Sequence, residues 1–479
     1  MEKILPEYLK GKRWFSSKAY FLKNVSVIDL LCLGSQENNY YFVVFRADLE
    51  PQGEATYFTV FRKIPVSDES HSRVSAEGHE IVDKLAEFKD PLDDPVFINL
   101  VVQSFINSRV VKGPEASIVF SLSGLGEMPT DHYAVTEIKS VNAEQSNTSI
   151  IIERKYILKL YRNSKFGENP DYAVPLQLYR NSFRNTPAPL GLCTLEKPGS
   201  RRDLISLFQF IPDSRDCWSL MTESLIRYLT MPEERELSMN TCFSLSRDLG
   251  KLTADLHLSL STVNLQDFIP SIPGRDDLRM LSFRMEKLQN DTVALLERVF
   301  SSTGKMSASA FELADLLKRS NVKVLESLKG ELKMRIHGDY HLGQVLRSNG
   351  MLYVIDFEGE PSKTMLERNE KWFPEKDVAG MLRSLDYAVS FSLKNSANHG
   401  LASGDADALS RRLREIFLQS YLKNSSKGVF LKRKGDVFKE LVSYFSIEKA
   451  LYELAYELNN RPDWVDIPMK YLLKTLRQD

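Results

Sequence analysis

The chain has 479 residues, with 63 Lys and Arg against 64 Asp and Glu and a formal net charge of −1. That balance excludes the basic excess expected of a nucleic-acid binder, and the length leaves room for two to three domains. Four scattered cysteines (Cys32, Cys193, Cys217 and Cys242), an N-terminus without a long apolar core and no run of membrane-spanning length point to a reducing cytoplasm and no membrane.

In chain order, Phe21 to Leu33, Tyr40 to Ala47 and Ala55 to Arg62 alternate or run apolar with many β-branched and aromatic residues, which predicts strands. Glu69 to Phe88 predicts a helix and Pro95 to Ile106 a further strand. Residues 1–110 therefore read as a small α+β unit without catalytic constellations. Arg13-Trp-Phe15 and Lys18 read as its aromatic anchor. Residues 111–212 read as a second sheet-bearing unit, with strands at Tyr133 to Ile138, Ile150 to Ile152, Tyr156 to Tyr161 and Leu204 to Ile211. The last strand stops at Pro212-Asp-Ser-Arg215, a hinge whose backbone groups can hydrogen-bond an adenine. Residues 213–479 are mainly helical by pattern: Cys242 to Leu260, Met280 to Leu296, Ala308 to Leu328, Val378 to Leu393, Leu409 to Leu422 and Tyr444 to Asn459. His257 reads as a core histidine and Lys432-Arg-Lys434 as a solvated face.

Lys159 sits between Leu158 and Leu160 in a predicted strand. Burying an unpaired ammonium is costly, so it either meets nucleotide phosphates or points to solvent, and spacing leaves both open. No Gly-x-Gly-x-x-Gly precedes it. Gln145 to Ser149, with Ser146, Asn147 and Thr148, instead offers hydroxyls, amides and backbone N–H groups that can cradle phosphate oxygens.

The chemistry concentrates between Met334 and Pro361. Apolar runs at Leu332 to Ile336 and Leu352 to Ile355, with a Ser348-Asn-Gly350 turn between them, predict neighbouring strands ending in polar clusters. Asp339 follows His337-Gly338, Gln344 lies five positions on, and Asp356 opens Asp-Phe-Glu-Gly. Kinases place a substrate-facing Asp, an amide five residues later and a metal-binding Asp in this order. Mg²⁺, a hard cation, wants a few such oxygens and takes the rest from phosphates and water. His337 and His341 as paired metal ligands on a helix are disfavoured by Gly338 and by the lack of a Glu after His337.

Several motifs along nearly the whole chain carry a family resemblance: Arg13-Trp-Phe15, Glu144-Gln-Ser-Asn-Thr-Ser149, Ile157-Leu-Lys-Leu160, Gly167-Glu-Asn-Pro-Asp171, His337-Gly-Asp-Tyr-His341, Asp356-Phe-Glu-Gly-Glu-Pro361, Asp377 to Ala388, and Lys449 to Trp464. The chain resembles the maltokinases, relatives of the aminoglycoside phosphotransferases. The resemblance implies an α+β, bilobal eukaryotic-like kinase fold with an N-terminal cap domain, an N-lobe and a mainly helical C-lobe. It implies ATP- and Mg²⁺-dependent phosphorylation of maltose at its anomeric hydroxyl, giving maltose 1-phosphate for α-glucan (glycogen) synthesis. It also allows association with a trehalose-to-maltose isomerase. Asp339 would be the catalytic base, Gln344 and Asp356 the metal ligands with Glu358 assisting, and Lys159 the phosphate lysine. The family's Glu two residues after Asn-Pro-Asp is replaced here by Ala173, so Lys159 would need Glu168 or Asp171 instead, and Pro175 disturbs helix nearby.

His341, Lys449, Tyr452, Glu453 and Tyr456 are the expected sugar-contacting residues. The last four fall at i, i+3, i+4 and i+7 on one helix face. That stripe either packs against the core, with Lys449 paired to Glu453 at the surface, or forms an acceptor site mixing charge with aromatic planes. A kinase of another small hydroxyl compound, such as an aminosugar or choline, and a catalytically silent kinase-like binding module are the competing readings.

Overall fold

The computed structural model describes residues 2, 4–12, 14–15, 21–34, 39–50, 53–63, 88–127, 134–141, 147–302, 308–320, 328, 331–360, 363–396, 403–431 and 435–477. The helix expected over Glu69 to Phe88, the Lys432-Arg-Lys434 run, and residues Arg13, Lys18 and Ser146 lie outside these, apart from Phe88. Two compact units form, one from residues 1–179 and 187–212, the other from 180–186 and 213–479.

The first unit contains α1 (Leu5–Lys10), β1 (Phe21–Gly34), β2 (Asn39–Glu50), β3 (Gly53–Lys63), β4 (Phe88–Lys89), α2 (Pro95–Ile106), β5 (Val110–Lys112), β6 (Ser117–Leu122), β7 (Ile138–Val141), β8 (Thr148–Ile152), β9 (Tyr156–Leu160), α3 (Pro170–Arg180), β10 (Pro189–Lys197) and β11 (Ser200–Gln209). Strands β1 to β4 make one sheet in sequence order, and a seven-stranded sheet runs β5-β6-β10-β11-β9-β8-β7. A shared core joins them: Leu31, Tyr40, Phe42 and Phe58 from the first sheet pack with Phe97, Phe105, Phe120, Leu158 and Leu207.

Pro95 to Ile106 is helix, not strand. Its residues are apolar almost all round, so periodicity alone is ambiguous. Local chemistry decides it: Pro95 stands at the first helical position and the Asp94 side chain accepts from the Val96 N–H. Phe97, Ile98, Val101, Val102 and Phe105 are then buried at helical spacing.

The second unit contains β12 (Arg215–Asp216), α4 (Cys217–Thr230), α5 (Arg235–Ser261), α6 (Arg275–Ser302), α7 (Ala308–Arg319), β13 (Val345–Ser348), β14 (Met351–Val354), α8 (Met365–Arg368), α9 (Glu375–Asn395), α10 (Ser403–Asn424), α11 (Asp436–Asn460) and α12 (Asp466–Leu476). The strand opposite Leu352 is not the Leu332 to Ile336 run: Val345–Ser348 pairs with Met351–Val354 across the Ser348-Asn-Gly350 turn. Asn349 and Gly350 take the positive φ that this tight connection requires. Leu332 to Ile336 makes only isolated bridges, Lys333 to Ser271 and Met334 to Trp372. Among the described residues no helix is long and apolar enough to cross a membrane, and all four cysteines are free thiols.

Candidate active site

The loop from His337 to Gln344 is hung from the buried carboxylate of Asp377 on α9. Its oxygens accept the N–H groups of His337 (2.7 Å) and Gly338 (2.9 Å). Gly338 has φ +87°, which lets two consecutive N–H groups point at one carboxylate. The Asp377 carboxylate also meets His257 Nε2 at 3.2 Å, and His257 Nδ1 lies 3.0 Å from the Tyr421 hydroxyl. Burial opposes the charge on Asp377, but the hydrogen bond and charge of His257, with His337 and the Gly338 N–H, prevail and hold its carboxyl below the usual range. His257 is therefore a core histidine with a support task. The sequence signal for this group is a charged residue, Asp377, in the first turn of a helix whose buried face is mostly apolar.

His337 accepts the Asp339 N–H on Nδ1 (3.3 Å), so its Nε2 carries the proton and donates to the Ile355 carbonyl (2.9 Å). That bond ties the loop to the chain leaving β14. Gly380 completes the support: a Cβ there would stand 2.5 Å from the Tyr340 carbonyl, so only glycine lets α9 come this close.

Asp339 ends in an ion pair, its Oδ1 2.9 Å from Lys449 Nζ on α11. Burial would raise its pKa, but the charge and hydrogen bond of Lys449 hold the carboxyl far below the ordinary range. Lys449 is held above its own usual value, because the Asp339 charge and hydrogen bond outweigh burial. His341 accepts the Gly343 N–H on Nδ1 at 3.1 Å. Burial pushes its pKa down to about 4, so it is neutral at pH 7.

Gln344 Nε2 donates to Asp356 Oδ2 at 3.1 Å, which brings together the two side chains expected to bind metal. Asp356 sits at φ +63°, a left-handed conformation that Asp tolerates better than most residues. The Asp356 carboxylate is a hard oxygen ligand of the kind Mg²⁺ takes; Gln344 meets it here through its amide nitrogen, and its amide oxygen is the second ligand type that fits the ion. Glu358 is buried and lies 3.5 Å from the half-buried Arg368.

On α11, Lys449 does not pair with Glu453. Glu453 is bound by Arg383 of α9 at 2.6 Å, both nearly buried. Tyr452 lies under the Lys449 ammonium, 5.2 Å from ring centre to Nζ. Tyr456 is 45% exposed and faces the Arg461 guanidinium. The stripe thus divides, with Lys449 and Tyr452 at the Asp339 carboxylate, Glu453 in an interhelical ion pair and Tyr456 at the surface.

In the first unit, Lys159 on β9 is only 14% exposed and lies 2.9 Å from Asp171 Oδ2 on α3, so it does not occupy a solvated face. Of the two candidate acids, Asp171 makes the pair, whereas Glu168 lies 3.6 Å from Arg201. Asp171 also accepts the Tyr161 hydroxyl at 3.0 Å. Pro175 does not break α3, which continues to Arg180. It stands at the middle of the helix, where its missing N–H removes one backbone hydrogen bond. In the phosphate-cradle candidate, Thr148 opens β8 and accepts the Arg162 Nε–H at 2.8 Å. Asn147 lies just before it, in a bend.

Residues 137–359 match the family described as "Phosphotransferase enzyme family". The glucosamine kinase of Streptacidiphilus jiangxiensis is 24% identical over 375 residues, covering 75% of this chain and 80% of that protein. The glucosamine kinase of Mycolicibacterium smegmatis is 24% identical over 331 residues, 69% of this chain and 77% of that one. A solved glucosamine kinase in complex with glucosamine, ADP and inorganic phosphate superposes with a TM-score of 0.65 at 19% identity, covering 98% of both chains. The chain thus has the aminoglycoside phosphotransferase-like kinase fold, α+β with a sheet-rich N-terminal and a helical C-terminal region, and its segment 137–359 matches the phosphotransferase enzyme family.

Proposed function

We propose that this protein is an ATP-dependent sugar kinase that phosphorylates the anomeric hydroxyl of maltose, giving maltose 1-phosphate and ADP. The product would feed α-glucan synthesis from trehalose-derived maltose. Asp339 orients the acceptor hydroxyl and takes its proton late, as the phosphoryl group moves. Asp356 and Gln344, with Glu358 nearby in sequence, would hold Mg²⁺, which when bound neutralises phosphate charge. Lys159 contacts nucleotide phosphates as a point charge, and Thr148 with Ser146 and Asn147 supplies hydroxyl and amide donors. Lys449, Tyr452 and His341 face the sugar.

The observation that carries a neutral acceptor is the charge on α11. Glu448, Glu453 and Glu457 already pair with Lys376, Arg383 and Arg461 at 2.7, 2.6 and 2.7 Å. The helix therefore presents the Lys449 ammonium beside Asp339. That ammonium is itself compensated by Asp339, so these three glutamates offer a protonated amine no uncompensated carboxylate, while the hydroxyls of a neutral sugar can hydrogen-bond to both members of the pair. The second reading, an aminosugar kinase, is favoured by the similarity to glucosamine kinases. Incubation with ATP, Mg²⁺ and maltose, glucose, glucosamine or choline, with products read by mass, tests both. Maltose phosphate as the dominant product supports the proposal. Glucosamine phosphate in its place replaces it with the second reading, and no nucleotide turnover with any acceptor supports a silent binding module.

A further inference from the structure

The chain leaving β9 crosses from one sheet to the other. Lys159 is within β9, yet Arg162 and Ser164 bond to β3: Phe58 N–H donates to the Arg162 carbonyl (2.8 Å) and Ser164 N–H to that of Thr56 (2.9 Å). The Arg162 side chain is 1% exposed at this crossing. Its Nε donates to Thr148 Oγ1 (2.8 Å) and its Nη1 to Thr59 Oγ1 (2.9 Å). Its guanidinium lies 4.6 Å from the centre of the Trp14 ring. Nη2 is 3.9 Å from Asp90, which accepts the Tyr8 hydroxyl at 2.7 Å and Lys12 Nζ at 3.2 Å. Trp14 and Phe15 in turn pack on Tyr57 at centroid distances of 6.1 and 5.1 Å. The aromatic anchor foreseen for the N-terminal motif thus sits on the same arginine that grips the start of β8.

We infer that Arg162 is a positioning residue for the phosphate-binding end of β8, and that Trp14 acts on nucleotide affinity through it. The inference rests on the kinase reading above. In the β8–β9 ladder Thr148 lies opposite Leu160 and Ser149 opposite Lys159, so what fixes Thr148 fixes the strand beside the phosphate lysine. The Arg162 Nε–H occupies the Thr148 oxygen, which leaves the hydroxyl proton to donate outward, as a phosphate oxygen requires. A buried guanidinium is a poor device for cohesion alone, since apolar residues of similar volume often stabilise as well. Its rigid fork instead sets three partners in fixed directions, which neither Lys nor Met reproduces.

The test uses the full chain. The affinity of the parent for MgATP is measured first by calorimetric titration, then that of Arg162→Met, Arg162→Lys, Trp14→Ala and Thr148→Ser, with circular dichroism for folding. The Arg162 and Trp14 variants are expected to bind MgATP about fivefold to tenfold more weakly, the scale of one charge-assisted hydrogen bond partly transmitted, with the acceptor KM unchanged. Trp14→Ala combined with Arg162→Lys should be clearly non-additive, because one acts through the other. Thr148→Ser, which keeps the hydroxyl, should bind within twofold of the parent. Folded Arg162 and Trp14 variants with MgATP affinity within twofold of the parent, whatever their Tm, overturn the inference, as does strict additivity. If Arg162→Met does not fold, Arg162→Lys and Trp14→Ala carry the same comparison. A parent that binds no nucleotide overturns the kinase reading instead, which keeps the two failures distinct.

Discussion

With its carboxylate 2.9 Å from the Lys449 ammonium, Asp339 binds a proton weakly. It is ionised at any working pH, and its value lies in orientation more than in basicity. Asp339→Asn should leave ATP binding nearly intact and lower turnover by at least about a hundredfold, the scale of a positioned base. Lys449→Met removes the cation that depresses the Asp339 pKa. With burial left unopposed by that charge, the pKa rises. Activity that needs the carboxylate is lost as pH falls through it, so the acidic limb of the kcat profile should move to higher pH. An unmoved limb would remove Lys449 from control of Asp339. At the proposed metal residues, Asp356 would offer a charged ligand and Gln344 a neutral one. Asp356→Ala should abolish activity at every Mg²⁺ concentration, while Gln344→Ala should recover in part with excess metal. A Mg²⁺ titration of both variants checks this.

Helices α3 and α9 each bury an acid in the first turn. On α3, Asp171 supplies the partner that Ala173 cannot, from a position two residues earlier and one methylene shorter. The Tyr161 hydroxyl supports it. Asp171→Asn should raise the KM for ATP and slow transfer without changing the acceptor KM, and Lys159→Met should do the same. ATP dependence equal to the parent's in both would show that the pair is only structural. On α9, Glu375 lies in the first turn and is 3% exposed. Burial, reinforced by the charge of Glu331, pushes its pKa up to about 8. The unfolded value is about 4.3. A pKa raised on folding gives stability that is complete below about pH 4.3 and is lost as pH rises toward 8. Glu375→Gln keeps the shape and removes that loss. Its Tm should therefore exceed the parent's by a few degrees at pH 8, with the difference shrinking toward pH 4.5. A constant difference across that range would contradict the assignment.

For the molecule as a whole, ligand linkage offers a test independent of turnover. A ligand present at about 100 times its Kd stabilises the folded state by about 2.7 kcal/mol. Maltose should therefore raise the Tm of the parent measurably, and glucosamine at equal concentration should do so far less. The reverse order would favour the aminosugar reading.

The sequence by itself determined the elements whose chemistry is local. Asp339, Gln344 and Asp356 fall within one short stretch around a tight hairpin, so spacing alone brings two of them into contact. The long helices of the second unit show a 3.6-residue period because each buries one face, and β8 and β9 were legible from a turn between apolar runs. Pro95 to Ile106 was misread because a helix apolar on nearly every side has no period to detect. Only the tertiary structure decided which charges meet. Lys449 and Asp339 are 110 residues apart in sequence. His257 and Asp377 are 120 apart, and Arg383 and Glu453 are 70 apart. Helical spacing could place Lys449 and Glu453 on one face, but not choose between pairing with each other and with partners from other elements. That choice was set by packing, because a buried charge takes whichever opposite charge the surrounding helices bring within hydrogen-bonding distance.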